Sequence, residues 1–347
     1  MNEINTKLLE ETVGKVMAKG KGILAADESN GTADKRLESV NAKTGEEMRR
    51  KYRDLFLCMN GNEEYISGVI LYDETFNQTD CSGILFPEAL NKKGILPGIK
   101  VDLGAKDFPG FPDEKLTVGL DDLPERAKAY FDGGARFTKW RAVIKIDEEN
   151  GLPTNETIEA NTDALARYAR ICQEAGLVPI CEPEVLLNGS HSIKVSEDIT
   201  TEVVKTLFDK LEEYKVYIPG LILKTSMIIN GDKNSDEASA EEVAEGTIRM
   251  LLNSVPKNVG GVVFLSGGQT AVEASAHLDK MAEIEKEKGL PFEIAFSYAR
   301  ALQGPALRIW AGKDENIKPA QEEFLKRLKL NQLADAGDYD ISLEYLD

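Results

Sequence analysis

A lysine stands where a buried strand should be apolar. Lys224 follows Leu221, Ile222 and Leu223 within the run GLILKTSM (220–227). A parallel strand covered on both faces reads as a nearly continuous apolar run, so a charge inside one needs a reason. A free lysine has a pKa of about 10.4, so roughly one in a few thousand is neutral at pH 7. Only the neutral amine attacks a carbonyl. Desolvation and a neighbouring cation both lower that pKa, and covalent lysine catalysts are activated in this way. Lys224 is therefore a candidate nucleophile. The alternative is a lysine at a strand end whose stem is buried and whose head reaches water.

Other charges interrupt similar runs. Asp27 ends ILAAD (23–27), Lys100 lies in GIKVD (98–102), and Lys139 and Arg141 lie in FTKWRAVIKI (137–146). Glu182 and Glu184 lie in LVPICEPEV (177–185), and Arg300 closes FEIAFSYAR (292–300). Residues two apart on a strand share a face. Lys139 and Arg141 then point one way with Trp140 opposite, and Glu182 and Glu184 point together with Pro183 between. If those faces point inward, cations and carboxylates converge on one mouth. An unpaired buried charge is costly, so the cluster is either an ion-pair network or a site. Lys139 is the best candidate for a cation beside Lys224. Ser266, Gly267 and Gly268 follow the run GVVFL and precede a helical pattern. Their N–H groups could cradle an anion at a helix N-terminus; a simple glycine turn is the competing explanation.

These residues need elements to hold them. Eight short runs, the six above together with 68–73 and 261–268, are rich in β-branched and aromatic residues. Amphipathic stretches separate most of them, such as 161–176, 199–214 and 271–289, with apolar residues at i, i+3 or i+4. Eight strands alternating with helices predict a (β/α)₈ TIM barrel, with a doubly wound sheet as the alternative. The whole chain, 1–347, reads as a single barrel domain. Segments 103–118 and 228–240 read as long loops after the third and sixth strands. Two helices within about 302–334 should pack outside the barrel, and 335–347 reads as a polar tail with the composition of a mobile one.

The bulk composition excludes several classes. The 347 residues carry a formal net charge of -18, which does not suit nucleic acid or an anionic membrane. It leaves room for a phosphorylated ligand, because a few cations inside a cleft dominate locally. No apolar run reaches the roughly 20 residues that a membrane span needs, and the N-terminus lacks the features of a signal peptide. The sequons at Asn30, Asn77, Asn155 and Asn188 then read as chance matches. None of the four cysteines forms a C-x-x-C pair. The only histidines, His191 and His277, belong to no metal-ligating motif, so no metal and no cofactor are expected. Gly20-Lys21-Gly22 precedes a strand instead of following one, which rules out a dinucleotide fingerprint.

The segments GKGILAADESNGT (20–32), GVILYDETF (68–76), FTKWRAVIKI, VPICEPEVL (178–186), LILKTSM (221–227), FLSGGQT (264–270) and FSYARALQ (296–303) resemble those of the class I fructose-bisphosphate aldolases along nearly the whole chain. The resemblance implies a barrel and a metal-independent lyase of glycolysis that cleaves fructose 1,6-bisphosphate. It implies Lys224 as the Schiff-base lysine, Glu182 as the acid/base of carbinolamine dehydration, and Asp27 as the base for the C4 hydroxyl. Lys139, Glu184 and Arg141 would be the supporting polar shell. Ser266, Gly267 and Arg300 would bind the ketone-side phosphate, and Ser29, Thr32 and Lys100 the other. Thr32 stands where a serine is common, and Ala299 where a glycine is common. A tyrosine near the C-terminus assists proton exchange in animal members; Tyr345 is the third residue from the end here. A cytoplasmic homo-oligomer, a tetramer by resemblance, is implied as well. Other Schiff-base enzymes of sugar phosphates, such as a transaldolase, and a non-catalytic scaffold are the competing readings.

Overall fold

The computed structural model describes residues 4–345. Eight parallel strands close a barrel in the order β1 (Gly22–Ala26), β2 (Ile66–Leu71), β3 (Leu96–Lys100), β6 (Phe137–Ile144), β7 (Val178–Val185), β8 (Ile222–Thr225), β9 (Gly261–Phe264) and β10 (Ile294–Tyr298). The barrel expected from the sequence is thus the observed architecture. Each strand overlaps an expected run: the first three start one or two residues earlier and end earlier, and the other five lie within their runs. The segment 103–118 is not a plain loop: β4 (Ala105–Phe108) and β5 (Phe111–Thr117) pair as an antiparallel hairpin. Its residues are mostly exposed, so it lacks the apolar alternation that marks a half-buried strand.

The helices follow in chain order as α1 (Thr6–Val16), α2 (Asn30–Ser39), α3 (Glu46–Leu57), α4 (Asp73–Phe76), α5 (Phe86–Lys92), α6 (Leu123–Asp132), α7 (Asn155–Glu174), α8 (Ile193–Glu213), α9 (Ala240–Ser254), α10 (Ala271–Lys288), α11 (Arg300–Trp310) and α12 (Ile317–Asp335). Segment 228–239 carries no helix or strand, as expected. The last two helices are α11 and α12, as anticipated, with slightly wider bounds.

Alternation along each strand sorts residues between the inside and the helical jacket. Phe137, Val178, Ile180, Ile222, Val263 and Ala295 fill the barrel interior. Leu9, Val13, Val16 and Met17 pack with the same cluster, so α1 closes the end of the barrel where the strands begin. Phe137 fits because β2 and β3 carry glycine beside it; a Cβ on Gly98 would lie 2.2 Å from its ring. Trp140, Cys181 and Leu223 belong to the outer core. Their neighbours Lys139, Glu182 and Lys224 therefore face inward, at the end where the strands finish.

The tail is tied down as far as Tyr345, and residues 346–347 lie outside the described residues. Residues Ile341–Tyr345 form a 3₁₀ turn. Glu344 accepts from the Nη1 of Arg327 at 2.6 Å, and the Tyr339 hydroxyl donates to Glu344 at 2.8 Å. A buried arginine from α12 thus anchors a segment whose composition alone suggested mobility.

Candidate functional site

The inward-facing charges meet in one cleft of about 640 Å³ at the C-terminal ends of the strands. That is the face on which barrel enzymes build their sites. Lys100 on β3 is in register with Lys139 on β6, and Arg141 and Val143 of β6 are in register with Glu182 and Glu184 of β7. Lys139, Glu182 and Lys224 meet through their charged ends at the barrel mouth, with Arg141 and Glu184 beside them. This follows from a two-residue period in strands that are otherwise apolar.

Glu182 stands between the two lysines. Its Oε1 lies 3.3 Å from the Nζ of Lys224 and its Oε2 lies 3.0 Å from the Nζ of Lys139. Lys139 also contacts Asp27 at 2.6 Å. Lys224 and Lys139 are each 3% exposed and Glu182 4%, so these charges lean on one another and not on water. The expected neighbour of Lys224 was a cation. The structure instead inserts a carboxylate, because β7 lies between β6 and β8.

Burial pulls the Asp27 carboxyl upward, but Lys139, Lys224 and Lys100 outweigh it and hold Asp27 well below the usual carboxylate range. Burial likewise opposes ionisation of Glu182, and Lys139, Lys224 and Arg141 overcome it, so its pKa also falls. Burial disfavours the Lys139 ammonium, yet Asp27 and Glu182 drive its pKa above the ordinary lysine value. Both carboxylates are thus anionic at neutral pH and available as bases. Arg141 pairs with Glu184 through its Nε.

Two groups of donors in the cleft lining suit an anion. At one, Ser266 and Gly267 follow β9, and Arg300 opens α11. The Thr270–Glu273 capping box fixes the start of α10 just beyond them. Ala299 has φ −108°, so replacing glycine there brings no left-handed strain. At the other, Ser29 and Thr32 open α2 with their hydroxyls 3.1 Å apart. Lys100 lines the same cleft, its ammonium paired with the Asp102 carboxylate at 2.5 Å and donating to the Asp102 carbonyl at 2.9 Å. Twelve of the expected site residues line this cleft. Tyr345 does not: it is 81% exposed in the terminal turn. His191 and His277 do not line it either; His277 Nδ1 contacts Gln269 Oε1 at 2.7 Å.

Several lining residues escaped the sequence reading, among them Glu28, Lys35, Arg36, Asp102 and Ser297. Asp102 accepts from the N–H of Gly104 at 3.0 Å and of Arg141 at 3.1 Å. Its signal was available, a charge two residues beyond Lys100 on the same face. Arg36 had none, since it sits in an ordinary polar helix.

The fold and cleft agree with the comparisons. The family model described as fructose-bisphosphate aldolase class-I matches residues 8–345. A probable fructose-bisphosphate aldolase class 1 of Xanthomonas axonopodis pv. citri is 47% identical over 333 residues, covering 95% of this chain and 98% of the relative. A fructose-bisphosphate aldolase of Dictyostelium discoideum is 43% identical over 340 residues, covering 97% and 94%. A solved structure of the aldolase of Plasmodium falciparum, in complex with TRAP and a small-molecule inhibitor, superposes with a TM-score of 0.94 at 42% identity, covering 96% of this chain and 95% of that one. The chain belongs to the class I fructose-bisphosphate aldolases, metal-independent lyases that cleave fructose 1,6-bisphosphate reversibly through a lysine Schiff base.

Proposed function

We propose that Lys224 is the nucleophile with which this aldolase converts fructose 1,6-bisphosphate to dihydroxyacetone phosphate and glyceraldehyde 3-phosphate. The observation that carries the assignment is a buried lysine with a carboxylate 3.3 Å from its nitrogen, in a cleft that Ser266, Gly267, Arg300, Ser29, Thr32 and Lys100 also line. The amine adds to the ketone carbon. Glu182 takes a proton from the nitrogen and returns one to the departing hydroxyl, so water leaves and an iminium remains. The iminium is an electron sink. Asp27 removes the C4 hydroxyl proton, the C3–C4 bond breaks, and its electron pair becomes an enamine while the aldehyde departs. Protonation of the enamine and hydrolysis regenerate the lysine.

The other residues serve this sequence. Lys139 balances the charge of Asp27 and Glu182 whichever of them carries the proton, and the Arg141–Glu184 pair braces them. Ser266, Gly267 and Arg300 hold one phosphate; Ser29, Thr32 and Lys100 hold the other. Two such groups favour a bisphosphate over the monophosphates that a transaldolase accepts.

Borohydride added with dihydroxyacetone phosphate should fix a single reduced adduct on Lys224, located by peptide mass spectrometry, while a chelator leaves the rate unchanged. An adduct on another residue would overturn the assignment. A homotetramer, implied by resemblance, is part of the same reading, and sedimentation equilibrium tests it. A cytoplasmic location fits four cysteines that stand free. Among the described residues no helix is long and apolar enough to cross a membrane.

A further inference from the structure

Arg36 lines the substrate cleft, but its guanidinium is already paired with Glu28. A one-to-one ion pair is a poor anion binder, because the carboxylate cancels the charge that a phosphate would seek. The structure supplies a second cation. Arg53, on α3, donates from Nη1 to the other carboxylate oxygen of Glu28 at 2.5 Å, and from Nη2 to the Glu28 carbonyl at 3.0 Å. Arg53 is 2% exposed and does not line the cleft, so it touches no substrate. Its guanidinium lies 5.2 Å from the ring centroid of Tyr52. The Tyr52 hydroxyl bonds Gln303, whose amide donates to the Ala25 carbonyl at 2.7 Å and whose oxygen lies 3.5 Å from Arg36.

We propose that Arg53 is a positioning residue for phosphate binding. By sharing Glu28, it leaves one net positive charge in the Arg53–Glu28–Arg36 row and directs it through Arg36 into the cleft. The inference rests on the cleft being the substrate site, as assigned above. Two guanidiniums on one carboxylate make charge-assisted bonds of fixed planar geometry, so the row also fixes where Arg36 points. Two functions are thus separated in space: Arg36 meets the ligand, and Arg53 sets how much charge Arg36 has to offer. The carboxylate that looks ill placed at a phosphate site becomes the hinge between them.

The test is steady-state kinetics with inorganic phosphate as a competing probe. Arg53→Met should raise the KM for fructose 1,6-bisphosphate and the inhibition constant of phosphate together, on the order of tenfold. At saturating substrate, kcat should stay near the parent value. Arg53→Lys, which keeps the charge, should recover most of the phosphate affinity. The double variant Glu28→Gln with Arg53→Met frees Arg36 from its competing carboxylate and should also recover it. This double variant removes both buried charges, so it keeps the test open if Arg53→Met alone does not fold. A merely structural Arg53 would lower the melting temperature and kcat, with no recovery in the double variant. That result, or a phosphate inhibition constant unchanged in folded Arg53→Met, would overturn the inference. Borohydride trapping at Lys224 in the parent reports separately on the assignment of the cleft.

Discussion

Glu182 keeps one carboxylate oxygen 3.3 Å from the nitrogen of Lys224 while its other oxygen faces Lys139. A proton leaving Lys224 has an anionic acceptor beside it and a fixed cation behind that acceptor. The arrangement separates nucleophile from proton carrier. Lys224→Met should abolish borohydride trapping and lower kcat by roughly 10⁴-fold or more. Glu182→Gln should still trap substrate, but slowly, with kcat down by about 10²–10⁴-fold. Rapid-quench trapping against time distinguishes them. Normal trapping kinetics in Glu182→Gln would remove Glu182 from the dehydration step.

Lys139 holds two carboxylates at once, Glu182 buried and Asp27 half-buried, and its loss should be felt in stability as well as rate. Lys139→Met leaves Asp27 and Glu182 without their main counter-charge, which should cost about 3–5 kcal/mol. Both carboxyls have depressed pKa values in the folded protein. The stability they contribute is therefore present above the ordinary carboxylate range and lost as pH falls through the depressed values. The parent should weaken as pH falls below about 4, and Lys139→Met, whose carboxyls are less depressed, should lose less of its remaining stability over the same range. Urea unfolding between pH 3 and pH 7 measures both, and parallel curves would contradict the assigned charge balance.

The barrel and the centre of its cleft were legible because one simple rule governs both. Strands buried on both faces should be apolar, so Lys139, Glu182 and Lys224 announced themselves by violating the rule, and the two-residue period set their direction. Which charges would touch was not legible. Lys139 and Lys224 are separated by a strand whose carboxylate comes between them, a fact of sheet order and not of local sequence. The row behind Arg36 was hidden for a related reason. Arg36 and Gln303 are 267 positions apart, and each sits in a helix of ordinary pattern. The 105–117 hairpin went unread because exposed polar strands carry no burial period.

Tyr345 lies outside the cleft, exposed, one residue beyond the Glu344–Arg327 anchor. With the anchor closed its hydroxyl meets no substrate. Tyr345→Phe should therefore change kcat by no more than about twofold, the scale of an exposed substitution. Deuterium exchange at the enamine carbon of dihydroxyacetone phosphate is the sharper readout. Exchange slowed tenfold in Tyr345→Phe would mean that the anchor opens and the tyrosine enters the cleft.

At the other end of the barrel, acidity runs the opposite way. Asp335 on α12 has its carboxyl pushed up to about 7, by burial first and then by Glu285. Glu285 on α10 is also raised to about 7, by burial and then by Glu293. Lys19 offsets both only in part, and the N–H of Gly20 bonds Asp335. A carboxyl raised in the folded state stabilises the fold while protonated. That contribution is complete below the ordinary range near pH 4 and is lost as pH rises through 7. Asp335→Asn is neutral at every pH and keeps an oxygen for Gly20. It should match the parent near pH 5, exceed it by on the order of 1 kcal/mol at pH 8, and flatten the dependence between. Urea unfolding at pH 5, 6.5 and 8 decides the matter. An equal slope in parent and variant would mean that Asp335 is already ionised at pH 5, and that Lys19 neutralises this corner more fully than its burial implies.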